Sequence, residues 1–158
     1  PESDPDDAVM TALREAVRLL DTPPAELGTT LVIFPSAFEE FTTFLMALDA
    51  FQDTLSTAGA GGVIQVASFH PKYRFDGTHE DTLSNYTNRS PYPIFHLLRE
   101  TELSEAIDSH GNTTEIPEAN IARLNNMGRD AIEALWRGFT QCPDNAAPKE
   151  SRDDSTPT

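Results

Sequence analysis

The stretch SFHPKYRFDGTHEDTLSNYTNRSPYPIFHLLRE, residues 68–100, contains three of the four histidines and a run of hydrogen-bonding side chains from Asn85 to Ser90. It sets Lys72, Arg74, Arg89 and Arg99 against Asp76, Glu80, Asp81 and Glu100, so it is formally neutral while the chain carries −15. Its last part decides the fold. Ser90 suits a helix N-cap, and Pro91 suits the first helical position, where a missing N–H costs nothing. Ile94, Leu97 and Leu98 then fall on one helical face, with His96 and Glu100 four residues apart on the other. A helix is therefore expected from Pro91 through Glu100, and any sheet must be built from residues before it.

Two upstream runs qualify as strands. Thr29–Phe34, TTLVIF, lies between Gly28 and Pro35, and Val63–Phe69 lies between a glycine-rich turn and His70-Pro71. Both are apolar on both sides, as in strands buried on two faces. Between them Ser36 and Glu39 stand in capping-box spacing, and Phe38, Phe41, Leu45, Leu48, Phe51 and Leu55 form a helical stripe, predicting a helix over 37–57. Strand, helix, strand implies a right-handed parallel crossover. Val9, Leu13, Ala16, Val17 and Leu20 predict an earlier helix ending near Asp21, before Thr22-Pro23-Pro24. Residues 101–108, 117–126 and 128–139 read as further helices. The expectation is a single α/β domain over residues 8–141, with a small, mainly parallel sheet covered by helices and a helical C-terminal part. A polar leader, 1–7, precedes it, and a disordered polar tail, 142–158, follows.

HPKYRFDGT followed by NYTNRSPYPIFHLLRE, with VIQVASFHP upstream, resembles an uncharacterised family, domain of unknown function 1415, from roughly Thr30 to Met127. The resemblance implies no activity. It does imply a preceding segment with an LCPFA-like string, absent here, which would add a strand or a reactive cysteine.

Composition narrows the function classes. Mean hydropathy is −0.41 and the sequence pI is near 4.4, so general affinity for nucleic acid or anionic membrane, which needs basic surface, is not expected. No apolar run approaches the roughly 20 residues of a membrane-spanning helix, and no leader opens the chain, so a cytoplasmic, soluble protein is expected. The single cysteine, Cys142, forms no internal disulfide and lies beside Pro143 at the edge of the polar tail, where it is given no role.

The candidate chemistry lies in the quoted stretch. His70 stands at the end of the second strand, where ligands bind in open α/β sheets, either as an acid–base group or as a partner to the loop it introduces. His96, tuned by Glu100, is the second proton-transfer candidate. Asn88, Arg89 and Ser90 adjoin the expected helix start, a cradle for a phosphate or carboxylate, with Asn85, Thr87 and Arg99 nearby. Arg89 either clamps an anion through two parallel bonds or pairs with Asp76, Asp81 or Glu100. Tyr73 and Tyr92 either meet a substrate or pack against the prolines beside them. His70, His79 and His96 with a carboxylate could form a metal set, but their wide spacing gives little support and no metal ligand is assigned. No cofactor is identified and the oligomeric state is open.

Two functions follow. The first is an enzyme acting on a small anionic metabolite, using His70 and His96 for proton transfer and Arg89 for the anion. The second is a non-catalytic binding or assembly module with an acidic surface, in which the polar stretch is a rigid scaffold. They differ in whether His70, Arg89, His96 and Arg99 converge on one open cleft or are consumed by internal pairing.

Overall fold

The computed structural model describes residues 4–110 and 115–140. Cys142 and the expected tail lie outside the described residues. Helix α1, Pro5–Asp21, starts at Asp4, whose carboxylate accepts the Asp6 N–H at 3.0 Å, and buries Ala8, Ala12, Ala16 and Leu19. Strand β1 is Thr29–Ile33, helix α2 is Phe41–Thr57 and strand β2 is Ile64–Phe69. A long loop containing a 3-10 turn, Leu83–Thr87, leads to strand β3, Ile94–Arg99. Helices α3, Glu100–His110, α4, Ile116–Met127, and α5, Arg129–Thr140, follow.

The sheet order is β1-β3-β2, with β3 antiparallel to both neighbours. β1 and β2 therefore run in the same direction and are joined through α2, as expected. The expected parallel pairing does not occur, because β3 occupies the gap between them. Residues 94–99 fit a helix by Ile94, Leu97 and Leu98, but they also alternate: Phe95, Leu97 and Arg99 are buried while Ile94, His96 and Leu98 are partly exposed. Two inner strand edges offer this segment a full set of main-chain partners, whereas an isolated helix of this length is marginal in water. Pro93 pointed the same way, since it disfavours helical backbone at Tyr92. The Ser90 hydroxyl donates to the Tyr92 carbonyl instead of capping a helix.

Among the described residues the core lies on one face of the sheet. Val32, Ile64, Phe95 and Leu97 meet Ala12, Ala16, Leu19, Phe44, Leu48, Phe51 and Leu55 from α1 and α2. Phe95 is its hub, with ring centroids 5.0 Å from Phe34 and 5.3 Å from both Phe44 and Phe51. Register places three rows on the opposite face: Ile33–Ile94–Phe69, then Leu31–His96–Ala67, then Thr29–Leu98–Gln65. None of these residues belongs to the core cluster. Leu31 and Ile33 are 56% and 48% exposed. Helices α4 and α5 pack on the 3-10 turn and on each other instead.

The expected capping box does not form. α2 starts at Phe41 after Glu40, with no side-chain cap, and Phe38 takes a positive φ of 63°.

Candidate functional site

The end of β1 and the end of β2 converge on a cleft of about 420 Å³ lined by Phe34–Glu39, His70–Lys72 and Pro91–Pro93. It lies at the strand ends where His70 was expected to stand, although the parallel pairing behind that expectation is absent. His70 is its buried wall, 0% exposed. Its Nε2 is 2.8 Å from the Phe38 carbonyl, and its Nδ1 is 2.9 Å from the Lys72 amide nitrogen. A carbonyl only accepts and an N–H only donates, so Nε2 carries the proton and Nδ1 is the acceptor. Both ring nitrogens are spent and the imidazole is neutral. Burial pushes its pKa below the ordinary histidine value, the Phe38 contact opposing this. His70 thus fixes the carbonyl of Phe38, the one non-glycine residue with positive φ among those described.

Around the cleft mouth stand Ser36, Glu39, Lys72 and the half-exposed Tyr92. Lys72 Nζ is 2.8 Å from Glu40 Oε1. The ammonium holds the Glu40 carboxyl below its usual range, and the carboxylate raises Lys72 in turn. Sequence reasoning missed Ser36, Phe38, Glu40 and Lys72. Only the position of Pro35 and Pro71 at the strand ends signalled them.

The polar residues of the long loop face inward. Asn85 is fully buried; its Oδ1 accepts from the Phe75 N–H at 3.2 Å and the Thr78 hydroxyl at 3.0 Å, and its amide donates to the His79 and Glu80 carbonyls. The Thr87 hydroxyl donates to the Ser84 carbonyl at 2.8 Å and also lies 3.0 Å from Asn88 Oδ1. Asn88 ties the loop to β2, donating to the Ser68 carbonyl and accepting the His70 N–H. Arg89 donates to the Tyr73 carbonyl at 3.2 Å and the Glu80 carbonyl at 2.7 Å, and its guanidinium lies 4.5 Å from the Tyr86 ring centre. Arg89 thus spans the loop through carbonyls and not through Asp76, Asp81 or Glu100, the pairing that was one of its two expected roles. Tyr73 packs between Phe41 and Phe75. Since β3 replaces the expected helix, no helix start exists at Ser90, and the proposed helix-end anion cradle loses its physical basis.

His96, Glu100 and Arg99 lie elsewhere. His96 sits on the open sheet face, its Nε2 2.7 Å from Thr29 Oγ1. That hydroxyl donates to the Leu97 carbonyl, so the imidazole N–H is the donor to it. Burial lowers the His96 pKa from its ordinary value. Glu100 opens α3 beyond the strand end, so the expected one-turn pairing with His96 does not exist. Arg99 is buried at the opposite end of the sheet from the cleft, donating to the carbonyls of Leu19, Thr22 and Leu27. It meets the last carbonyls of α1, where positive charge is favoured. His79 lies 3.5 Å from Asp81 on the surface. Among the described residues no three of His, Cys, Asp and Glu are grouped to hold a metal. No helix there is long and apolar enough to cross a membrane. His70, Arg89, His96 and Arg99 occupy four separate places.

The family described as Protein of unknown function (DUF1415) matches residues 1–134. No curated protein and no solved structure matches the chain.

Proposed function

Because this chain belongs to the family Protein of unknown function (DUF1415), whose description carries no activity, we propose its function from geometry: a non-catalytic binding and assembly module that receives a partner on the open face of its sheet. One observation carries the reading. Leu31, Ile33, Phe69, Ile94 and Leu98 stand on the face away from the core, where an antiparallel sheet facing water ordinarily alternates to polar side chains. The spent state of Asn85, Asn88 and Arg89 supports it, since these groups hold the loop and leave no convergent acid–base set. The test is isolation of the native complex from its own cells with the wild-type chain and with Leu31→Glu/Ile33→Glu. A stoichiometric partner retained by wild type and lost by the variant is expected. Retention of every partner by a folded variant sinks the reading.

A small-anion reading is favoured by the cleft alone, where the Lys72 ammonium and the Ser36 and Tyr92 hydroxyls surround a space of metabolite size. In this reading an anion displaces Glu40 from Lys72. Phosphate or a small carboxylate should then raise the melting temperature of the wild type but not of Lys72→Ala, and equal responses rule it out.

A further inference from the structure

We infer that the groove between the long loop and helices α4 and α5 binds a monocarboxylate with a hydrocarbon chain of about ten carbons, anchored by Arg89. The groove shares no residue with the open sheet face, so the inference does not rest on the docking reading above. One wall comes from α5, which repeats apolar side chains at Ile132, Leu135, Trp136 and Phe139, a stripe at helical spacing. Ile132 is buried, but Leu135 and Phe139 are 51% and 66% exposed, and α4 beside them buries none of its residues. With Leu124 these side chains line a space of about 370 Å³ whose other wall is the loop around Tyr86 and Arg89. At about 30 Å³ for each water-sized group, that space holds about 12 non-hydrogen atoms, the count of a ten-carbon carboxylate.

The polar end sets the chemistry. Arg89 donates through Nε to the Tyr73 carbonyl and through Nη2 to the Glu80 carbonyl, so among the described residues Nη1 has no hydrogen-bond partner. No described carboxylate forms an ion pair with Arg89, although the chain holds 26 acids against 11 lysines and arginines. An uncompensated cation therefore stands beside an apolar wall. Its place is fixed: two carbonyls hold it, the Tyr86 ring centre lies 4.5 Å from it, and Tyr86 meets Trp136 edge-on at 5.9 Å. A guanidinium stacked on one face still offers N–H groups in its plane, where a carboxylate is met. The Ser90 hydroxyl next to it is already given to the Tyr92 carbonyl, so the guanidinium selects the ligand's polar end. A phosphate dianion would leave one charge unpaired against carbon, and an amine would bring like charge to Arg89, so a monocarboxylate fits best.

The test titrates the full chain with decanoate, decanol and decylamine below their micelle-forming concentrations. Trp136 is the only tryptophan in the chain and lines the groove, so its fluorescence reports occupancy, with amide shifts at Leu124, Ile132 and Leu135 as the second readout. Decanoate should bind at least about tenfold more tightly than decanol, the gain from a hydrogen bond to a charged group. Affinity should rise about fourfold per methylene from octanoate and level off near about 12 carbons, where the groove is full. Arg89→Gln should abolish the preference for decanoate over decanol. Because Arg89 also holds the loop, Leu135→Glu on the half-exposed side of α5 is the second variant; it should weaken decanoate at least about tenfold and decylamine less. Leu31→Glu/Ile33→Glu should leave the titration unchanged. Equal affinity for decanoate and decanol overturns the proposal, as does affinity that keeps rising with chain length and ignores Leu135→Glu. Binding lost in Leu31→Glu/Ile33→Glu places the ligand on the sheet face and overturns it too. A dimer dissociated by Leu135→Glu, with no response to decanoate, overturns it in favour of a second copy.

Discussion

His70 joins three parts of the molecule through one ring. Its Nε2–H holds Phe38, its Nδ1 holds the first amide after Pro71, and its ring centre lies 5.1 and 5.0 Å from those of the tilted Phe41 and Phe44 rings. If its task were proton transfer at the cleft, His70→Ala would leave stability nearly unchanged. The geometry supports the other outcome: about 2–4 kcal/mol lost in urea denaturation, because a buried carbonyl and N–H lose their partner and a cavity opens. The pH dependence follows from the same burial. A histidine held below its ordinary value stays neutral when folded, while the unfolded chain takes up a proton below about pH 6.5. Stability is therefore full above that pH and falls as pH drops through the window between the unfolded and folded values. His96 is shifted in the same direction and adds to the slope. His70→Ala should make the decline below about pH 6.5 shallower; an unchanged slope would place the titration elsewhere.

β3 is the element on which most depends. It pairs on both sides, carries the hub ring Phe95 and ends in the Arg99 contact with α1. Phe95→Ala should cost about 3–5 kcal/mol in chemical denaturation, whereas Leu135→Ala on the half-exposed side of α5 should cost well under 1 kcal/mol. Comparable costs would mean that the C-terminal helices share the main core. The elements with one-sided or closed-off patterns were legible in the sequence. α1 ends at Asp21 where prolines follow, α2 ends at Thr57 before the glycines, and β1 and β2 match their apolar runs within a residue. β3 was not, because Ile94, Leu97 and Leu98 satisfy a helical period while Phe95, Leu97 and Arg99 satisfy a strand period, and only partners distant in sequence select between them. The site failed for the same reason. With a helix at 91–100, His96, Arg89 and Ser90 share one end; with a strand, they are dispersed. The turn at Ser36–Glu40 was missed because nothing in that segment announces that Phe38 is the residue with positive φ.

The molecule as a whole combines a small one-sided core with a charge of −15. Its described ion pairs, such as Arg18–Glu15 and Lys72–Glu40, are largely exposed and contribute little. Self-repulsion is therefore the larger electrostatic effect, and salt should stabilise the fold. Raising ionic strength from roughly 0.02 to 0.5 M should lift the melting temperature by about 2–4 °C, corresponding to about 1 kcal/mol. A fall would mean that local attraction outweighs the net charge.

The central position of β3 also bears on how the chain is made. Strands β1 and β2 are synthesised first, yet neither touches the other in the sheet, and the strand that separates them is the last to appear. From the end of β2 at Phe69 to the end of β3 at Arg99 a ribosome needs about 2–6 s at about 5–20 residues per second. During that interval the nascent chain displays two apolar strands, each with both edges bare, to whatever is nearby. Safe synthesis of this protein thus depends on its last strand arriving before a foreign strand takes the vacant middle place.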